Sequence, residues 1–219
     1  MRTILTATIV LVLLGLAGAV RAEDLIKPGQ EGALVIEGYP TPCVMYIPSD
    51  YAAGAQMPLI MHMHGAGGQP TTIPFRQATD GKGYIVVGLS YGPLGLAKEG
   101  ITATPEMRTQ MIAYFAKVRE KVKATYGLNE KQVYLSGLSM GGWGVNYFGF
   151  HKDSKGLYRA YCIIAAGPLT RDGVDLSVAK GVPVMILNGG TDPNLQAANE
   201  GLGPLKQAGA VVTQEIIAG

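Results

Sequence analysis

The pentapeptide Gly137-Leu138-Ser139-Met140-Gly141 constrains this chain more than any other stretch. It follows the apolar run Val133–Ser136 and opens a Gly-rich segment, so a strand must turn sharply into a helix around Ser139. Such a turn holds the serine hydroxyl above the sheet, and side chains two positions either side would strike neighbouring backbone. Gly137 and Gly141 remove them. A serine hydroxyl is a weak nucleophile unless a base takes its proton and donors hold the oxyanion that forms, so the turn points to nucleophilic chemistry only if partners exist elsewhere.

The rest of the chain reads as alternating strands and helices, the pattern of a mostly parallel sheet with helices on both faces. Strands are expected at 33–38, 42–47, Met57–His64, Tyr84–Ser90, Val133–Ser136, Tyr161–Ala165, Pro183–Leu187 and Val211–Ile217. The clearest helix is Glu106–Tyr126. Thr104 can cap it, Pro105 suits its first position, and Met107, Met111, Phe115, Val118 and Val122 recur on one face. Gly127 stops it. A helix is expected after Met140 despite its glycines, and another at Leu195–Gln207. The 219 residues, 31 of them glycine, suit one α/β domain over 23–219.

A second Gly-rich motif, His64-Gly65-Ala66-Gly67-Gly68, ends the Met57–His64 strand. Gly65 and Gly67 let the backbone turn back and aim N–H groups at a substrate carbonyl. The Ala66 and Met140 amides would then form a two-donor oxyanion hole, with Gly67 as the alternative donor. The other reading of this motif is an ordinary turn.

With these motifs the chain resembles the α/β-hydrolase superfamily, in particular small serine esterases of the dienelactone-hydrolase-like, carboxylesterase and polyhydroxybutyrate-depolymerase-like groups. The resemblance runs from about Thr41 to Gly219. It rests on His64–Gly68, Gly137–Gly142 and Asn188-Gly189-Gly190-Thr191-Asp192-Pro193. It implies Ser139 as nucleophile and Asp192 as the acid that orients a histidine, in the order serine, acid, histidine. Asp192 could instead merely shape a turn. Asp172 and Asp175 are weaker candidates for the acid. Dienelactone hydrolases proper carry cysteine at the nucleophile, so Ser139 shifts the expectation toward ordinary carboxylic esters. Peptidase activity and a non-catalytic hydrolase-like fragment are the alternatives.

The resemblance places the base shortly after the last strand, yet no histidine follows His151. The base is therefore expected within a few residues beyond Gly219, with the last helix of the pattern also missing. His151, twelve positions past Ser139, would be roughly 18 Å away along a helix. His64 could approach Ser139, but in resembling enzymes it supports the oxyanion loop. Metal ligation by His62 and His64 lacks a neighbouring carboxylate or thiol, and no metal or cofactor is expected.

Tyr91 and Trp143 could line a substrate pocket, although a tryptophan on a helix against a sheet is more often core, and Gly92–Ala103 could form one wall. Gly167–Gly181 is too short for a lid domain, which suits a small-molecule ester and an open site. Cys43 and Cys162 read as buried thiols or as a pair. Residues 1–22 have the form of an export signal: Arg2, then apolar Ile4–Val20, then Val20-Arg21-Ala22. A secreted or periplasmic chain follows, with no stable membrane insertion after cleavage. The net charge of +2 without a polybasic run gives no reason to expect nucleic acid.

Overall fold

The computed structural model describes residues 25–91, 104–171 and 173–218. Eight strands form one sheet: β1 (Glu31–Leu34), β2 (Cys43–Tyr46), β3 (Met57–Met63), β4 (Ile85–Leu89), β5 (Leu128–Leu138), β6 (Ala160–Ile164), β7 (Pro183–Gly189) and β8 (Val211–Ile217). Their spatial order is β1-β2-β4-β3-β5-β6-β7-β8. The β1–β2 and β2–β4 pairs are antiparallel, and every pair from β4–β3 to β7–β8 is parallel. The chain leaves β3 toward β4 and returns on its other side as β5. The strand order therefore reverses at β3, and ligands in open parallel sheets bind beyond the strand ends at such a point.

Among the described residues, four α-helices accompany the sheet: α1 (Ile73–Ala78), α2 (Pro105–Tyr126), α3 (Met140–Gly144) and α4 (Leu195–Gln207). Helix α2 has the termini its sequence predicts. The Thr104 hydroxyl accepts from Met107 N–H, Pro105 starts the helix, and Gly127 ends it at φ 79°. Met111, Phe115, Val118 and Val122 are fully buried.

The two faces of the sheet are unequally covered. Leu59, Met61, Val133, Leu135, Tyr161, Ile163, Val184 and Ile186 point into the main core, which α2, α3 and α4 share through residues such as Phe115, Met140 and Leu205. On the opposite face, Phe75 of α1 packs with Tyr46, Ile60 and Val86. Farther along that face Cys162, Ile164, Met185 and Leu187 are half-buried, and Ile217 is exposed.

Several boundaries differ from expectation. Strand β5 starts at Leu128, because that residue already pairs with Met57 before a register shift. Helix α1 is short, buries none of its residues and has no apolar periodicity to announce it. The helix after Ser139 changes character: α3 passes into a π-helical turn, Val145–Gly149. Cys43 and Cys162 are not bridged. Cys43 Sγ lies 2.7 Å from the Tyr114 hydroxyl, and burial pushes both thiols above their ordinary pKa. The leader-like residues 1–22 and the Gly92–Ala103 stretch lie outside the described residues. Among the described residues, no helix is long and apolar enough to cross a membrane.

Candidate active site

Ser139 stands where β5 gives way to α3, with φ 51° and ψ −112°. A non-glycine residue reaches that region only when its surroundings force it there, at a cost of about 1–3 kcal/mol. The surroundings are visible. Ser139 N–H donates to Ile164 O at 2.7 Å, and Trp143 N–H donates to Ser139 O at 3.0 Å. A methyl group added to Gly137 would lie 2.0 Å from Gly141 O. One added to Gly141 would lie 2.2 Å from Met63 O. The two glycines thus let the turn fold onto itself and press α3 against the end of β3. Ser139 itself remains partly accessible.

The His64–Gly68 loop leaves β3 beside this turn. A Cβ on Gly65 would sit 3.6 Å from Ser139 Cβ and 3.5 Å from Leu138 O. Gly68 N–H closes the loop on Gly65 O at 3.1 Å, and Gly67 takes φ 69°. Ala66 is exposed at its tip. Met140 is the first residue of α3, and N–H groups of a first helical turn lack partners within their own helix. Loop and helix start therefore flank Ser139 from two sides.

Tyr91 is buried. Its hydroxyl donates to His64 O at 2.6 Å, and its ring meets the His64 ring edge-on with centroids 4.6 Å apart. The tyrosine thus braces the loop from beneath. His64 Nδ1 lies 2.7 Å from Gly65 O; a carbonyl only accepts, so the proton resides on Nδ1.

Asp192 follows β7. Its Oδ1 accepts from Asn194 N–H at 2.8 Å and its Oδ2 from Asn188 Nδ2 at 3.2 Å. The carboxylate does shape a turn ahead of α4, as its second sequence reading has it, while staying partly accessible. Gly190 N–H donates to Ile217 O at 2.8 Å, so the end of β8 abuts the same turn. Asp175 faces a different task, accepting from Ser177 N–H at 3.0 Å, and Asp172 lies outside the described residues.

Each of the three histidines has Nδ1 engaged with a group other than Ser139. His62 is buried, with Nδ1 3.3 Å from Ser136 Oγ and its ring against Phe75. Burial, with His64 nearby, lowers its pKa to about 4, so it is neutral. His151 accepts from Asp153 N–H at 3.3 Å. No group of three potential metal ligands occurs among the described residues.

Trp143 lines a cleft of about 320 Å³ with Tyr147, Leu169, Arg171 and Ala197. Sequence reading missed the residue that builds its wall. Asn146 is fully buried; its amide donates to Gly142 O at 3.2 Å and Gly167 O at 3.0 Å, and its Oδ1 accepts from Leu169 N–H at 2.9 Å. An asparagine within the otherwise apolar run Val145–Phe150 was the available clue. Asn194 adds a second tie, donating to Ala165 O at 3.0 Å.

No family model matches the chain. A bifunctional acetylxylan esterase/xylanase from Neocallimastix patriciarum is 30% identical over 115 residues, which are 51% of this chain and 15% of that protein. Among solved structures, a thermostable esterase superposes with a TM-score of 0.62 at 19% identity, over 87% of this chain and 54% of the other. A thermophilic esterase of Thermogutta terrifontis with propionate bound gives 0.62 at 16% identity, over 88% and 84%. The chain thus spans only a small part of its curated relative and about half of the first of these structures. The fold is that of the α/β-hydrolases.

Proposed function

We propose that the chain is a serine hydrolase of carboxylic esters. What supports this reading most directly is the strained Ser139 backbone, flanked by the Gly65 loop and the start of α3. Strain of this kind persists where surroundings over-determine it, and it concentrates at reactive residues. The esterase names among the structural neighbours agree with the reading.

In this scheme Ser139 Oγ attacks the ester carbonyl while a base takes its proton. The tetrahedral oxyanion is held by Met140 and Ala66 N–H groups, with the glycines Gly65, Gly67, Gly137 and Gly141 allowing the close backbone approach. The intermediate collapses to an acyl-serine as the alcohol leaves with the proton. Water then repeats the sequence and releases the acid. Asp192 orients the base. The apolar stretch Ile4–Val20 supports export to a secreted or periplasmic location.

The test is labelling with a fluorophosphonate probe together with turnover of p-nitrophenyl acetate. Ser139→Ala should abolish labelling and lower kcat on the order of ten-thousand-fold. Labelling that survives Ser139→Ala would sink the scheme. Amides cleaved as fast as matched esters would move the reading to a peptidase.

A further inference from the structure

The cleft beside Trp143 has a chemistry that the ester reading leaves unassigned. Trp143 sits one helical turn past Ser139, its N–H bonded to Ser139 O at 3.0 Å. Tyr147 follows one turn later, on the π-helical segment, and is buried. Leu169 comes from the loop after β6 and Ala197 from the first turn of α4. The cleft therefore opens at the same end of the sheet as Ser139 and Asp192, between the helices that follow β5 and β7.

Its walls are stiff. Asn146 holds the 167–169 loop by two hydrogen bonds, to Gly167 O and from Leu169 N–H. A methyl on Gly167 would lie 2.3 Å from Ala198 Cα, and one on Gly201 would lie 2.3 Å from Pro168 O. Loop and helix are in backbone contact, so the gap between Trp143 and Ala197 is a fixed feature of the packing. Its volume of about 320 Å³ exceeds the roughly 150 Å³ of an apolar cavity that accepts benzene.

Among the described residues, two aromatic rings and two aliphatic side chains line the gap with one charged residue, the exposed Arg171, while the buried Arg108 guanidinium lies over the Tyr147 ring, 5.9 Å from its centroid. A guanidinium pairs with carboxylates through a planar fork of donors. An aromatic wall with one cation at its margin suits a flat ring that carries an anionic group.

We propose that this cleft binds the ring of an anionic aromatic ester, such as a carboxyphenyl ester, with the ring against Trp143 and Tyr147 and its carboxylate on Arg171. The place of the cleft in catalysis rests on the assignment of Ser139; binding does not. Trp143 is the only tryptophan in the chain, so its fluorescence reports occupancy directly.

The experiment titrates the chain with 4-acetamidobenzoate, the amide counterpart of 4-carboxyphenyl acetate, and with uncharged acetanilide, following Trp143 emission. A saturable change is expected for both. The carboxylate should bind about two- to fivefold tighter, the range of a solvent-exposed ion pair. Arg171→Gln, at an exposed position, should erase that preference and leave acetanilide unchanged. No saturable change with 4-acetamidobenzoate, equal affinities in the wild type, or a preference that survives Arg171→Gln would each overturn the proposal. Fluorescence needs no turnover. Binding without hydrolysis of either phenyl ester would thus sink the catalytic reading alone, and hydrolysis of phenyl acetate without any emission change would sink the cleft alone.

Discussion

The end of the sheet around Ser139 and the margin formed by β8 are built on opposite principles. At Ser139 the backbone touches backbone: Gly137 against Gly141, Gly141 against Met63, Gly142 within 3.0 Å of Ile164 O for an added methyl. Position there is set by covalent geometry and hydrogen bonds, with no side chain to adjust. Among the described residues, strand β8 pairs only with β7, and Val211, Ile216 and Ile217 are 58%, 53% and 57% exposed. Its register is kept by ladder hydrogen bonds along seven residues, and its side chains contribute little burial. The contrast shows where this fold concentrates its intolerance to change.

The largest expected effect is Gly137→Ala. An added methyl 2.0 Å from Gly141 O has no room to give, so the variant should lose at least about 3 kcal/mol of stability. Denaturant melts would register this, and a loss below 1 kcal/mol would show that the turn is softer than its contacts imply.

Next comes pH. His62 has a folded-state pKa of about 4 against an ordinary 6.5, caused first by burial. Between those values the unfolded chain binds a proton that the folded chain refuses. Stability is therefore complete above pH 6.5 and falls as pH drops toward 4, by about 2–3 kcal/mol. Melts at pH 7 and 4.5, compared with His62→Gln, measure the share due to this residue; identical slopes would remove it from the account.

A smaller effect of opposite sign is expected at Ser139. Ser139→Gly relieves the φ 51° conformation and should raise stability by about 1 kcal/mol while removing the hydroxyl. A destabilised Ser139→Gly variant would mean that the serine side chain holds the turn together. Smallest of all, Ile217→Thr at the β8 margin should change stability by less than about 0.5 kcal/mol. A larger loss would show that β8 is better packed than its exposure indicates.

These regions were not equally legible in the sequence. Helix α2 could be read because Thr104, Pro105 and Gly127 each do locally what their chemistry favours. The Ser139 turn could be read because steric exclusion at Gly137 and Gly141 is a local property as well. Helix α1 could not: six residues with a proline near the start carry no period, and only the packing of Phe75 against Tyr46, Ile60, Val86 and His62 reveals what the segment does. The cleft was legible only in part: Trp143 could be named as a lining residue, but not what faces it. Its wall depends on Asn146 meeting a loop more than twenty residues away, a pairing that only the sheet topology creates. Tyr91 shows the same limit, since nothing local announces that its hydroxyl ends on His64 O.

The hydrogen bond from Gly190 N–H to Ile217 O has a thermal consequence. It moors the Asp192 turn to an edge strand of the sheet. Fraying of β8 on warming would release Asp192 while Ser139 remains locked in place. Inactivation should then run several degrees ahead of global melting, with fluorophosphonate reactivity fading before circular dichroism registers any loss of helix.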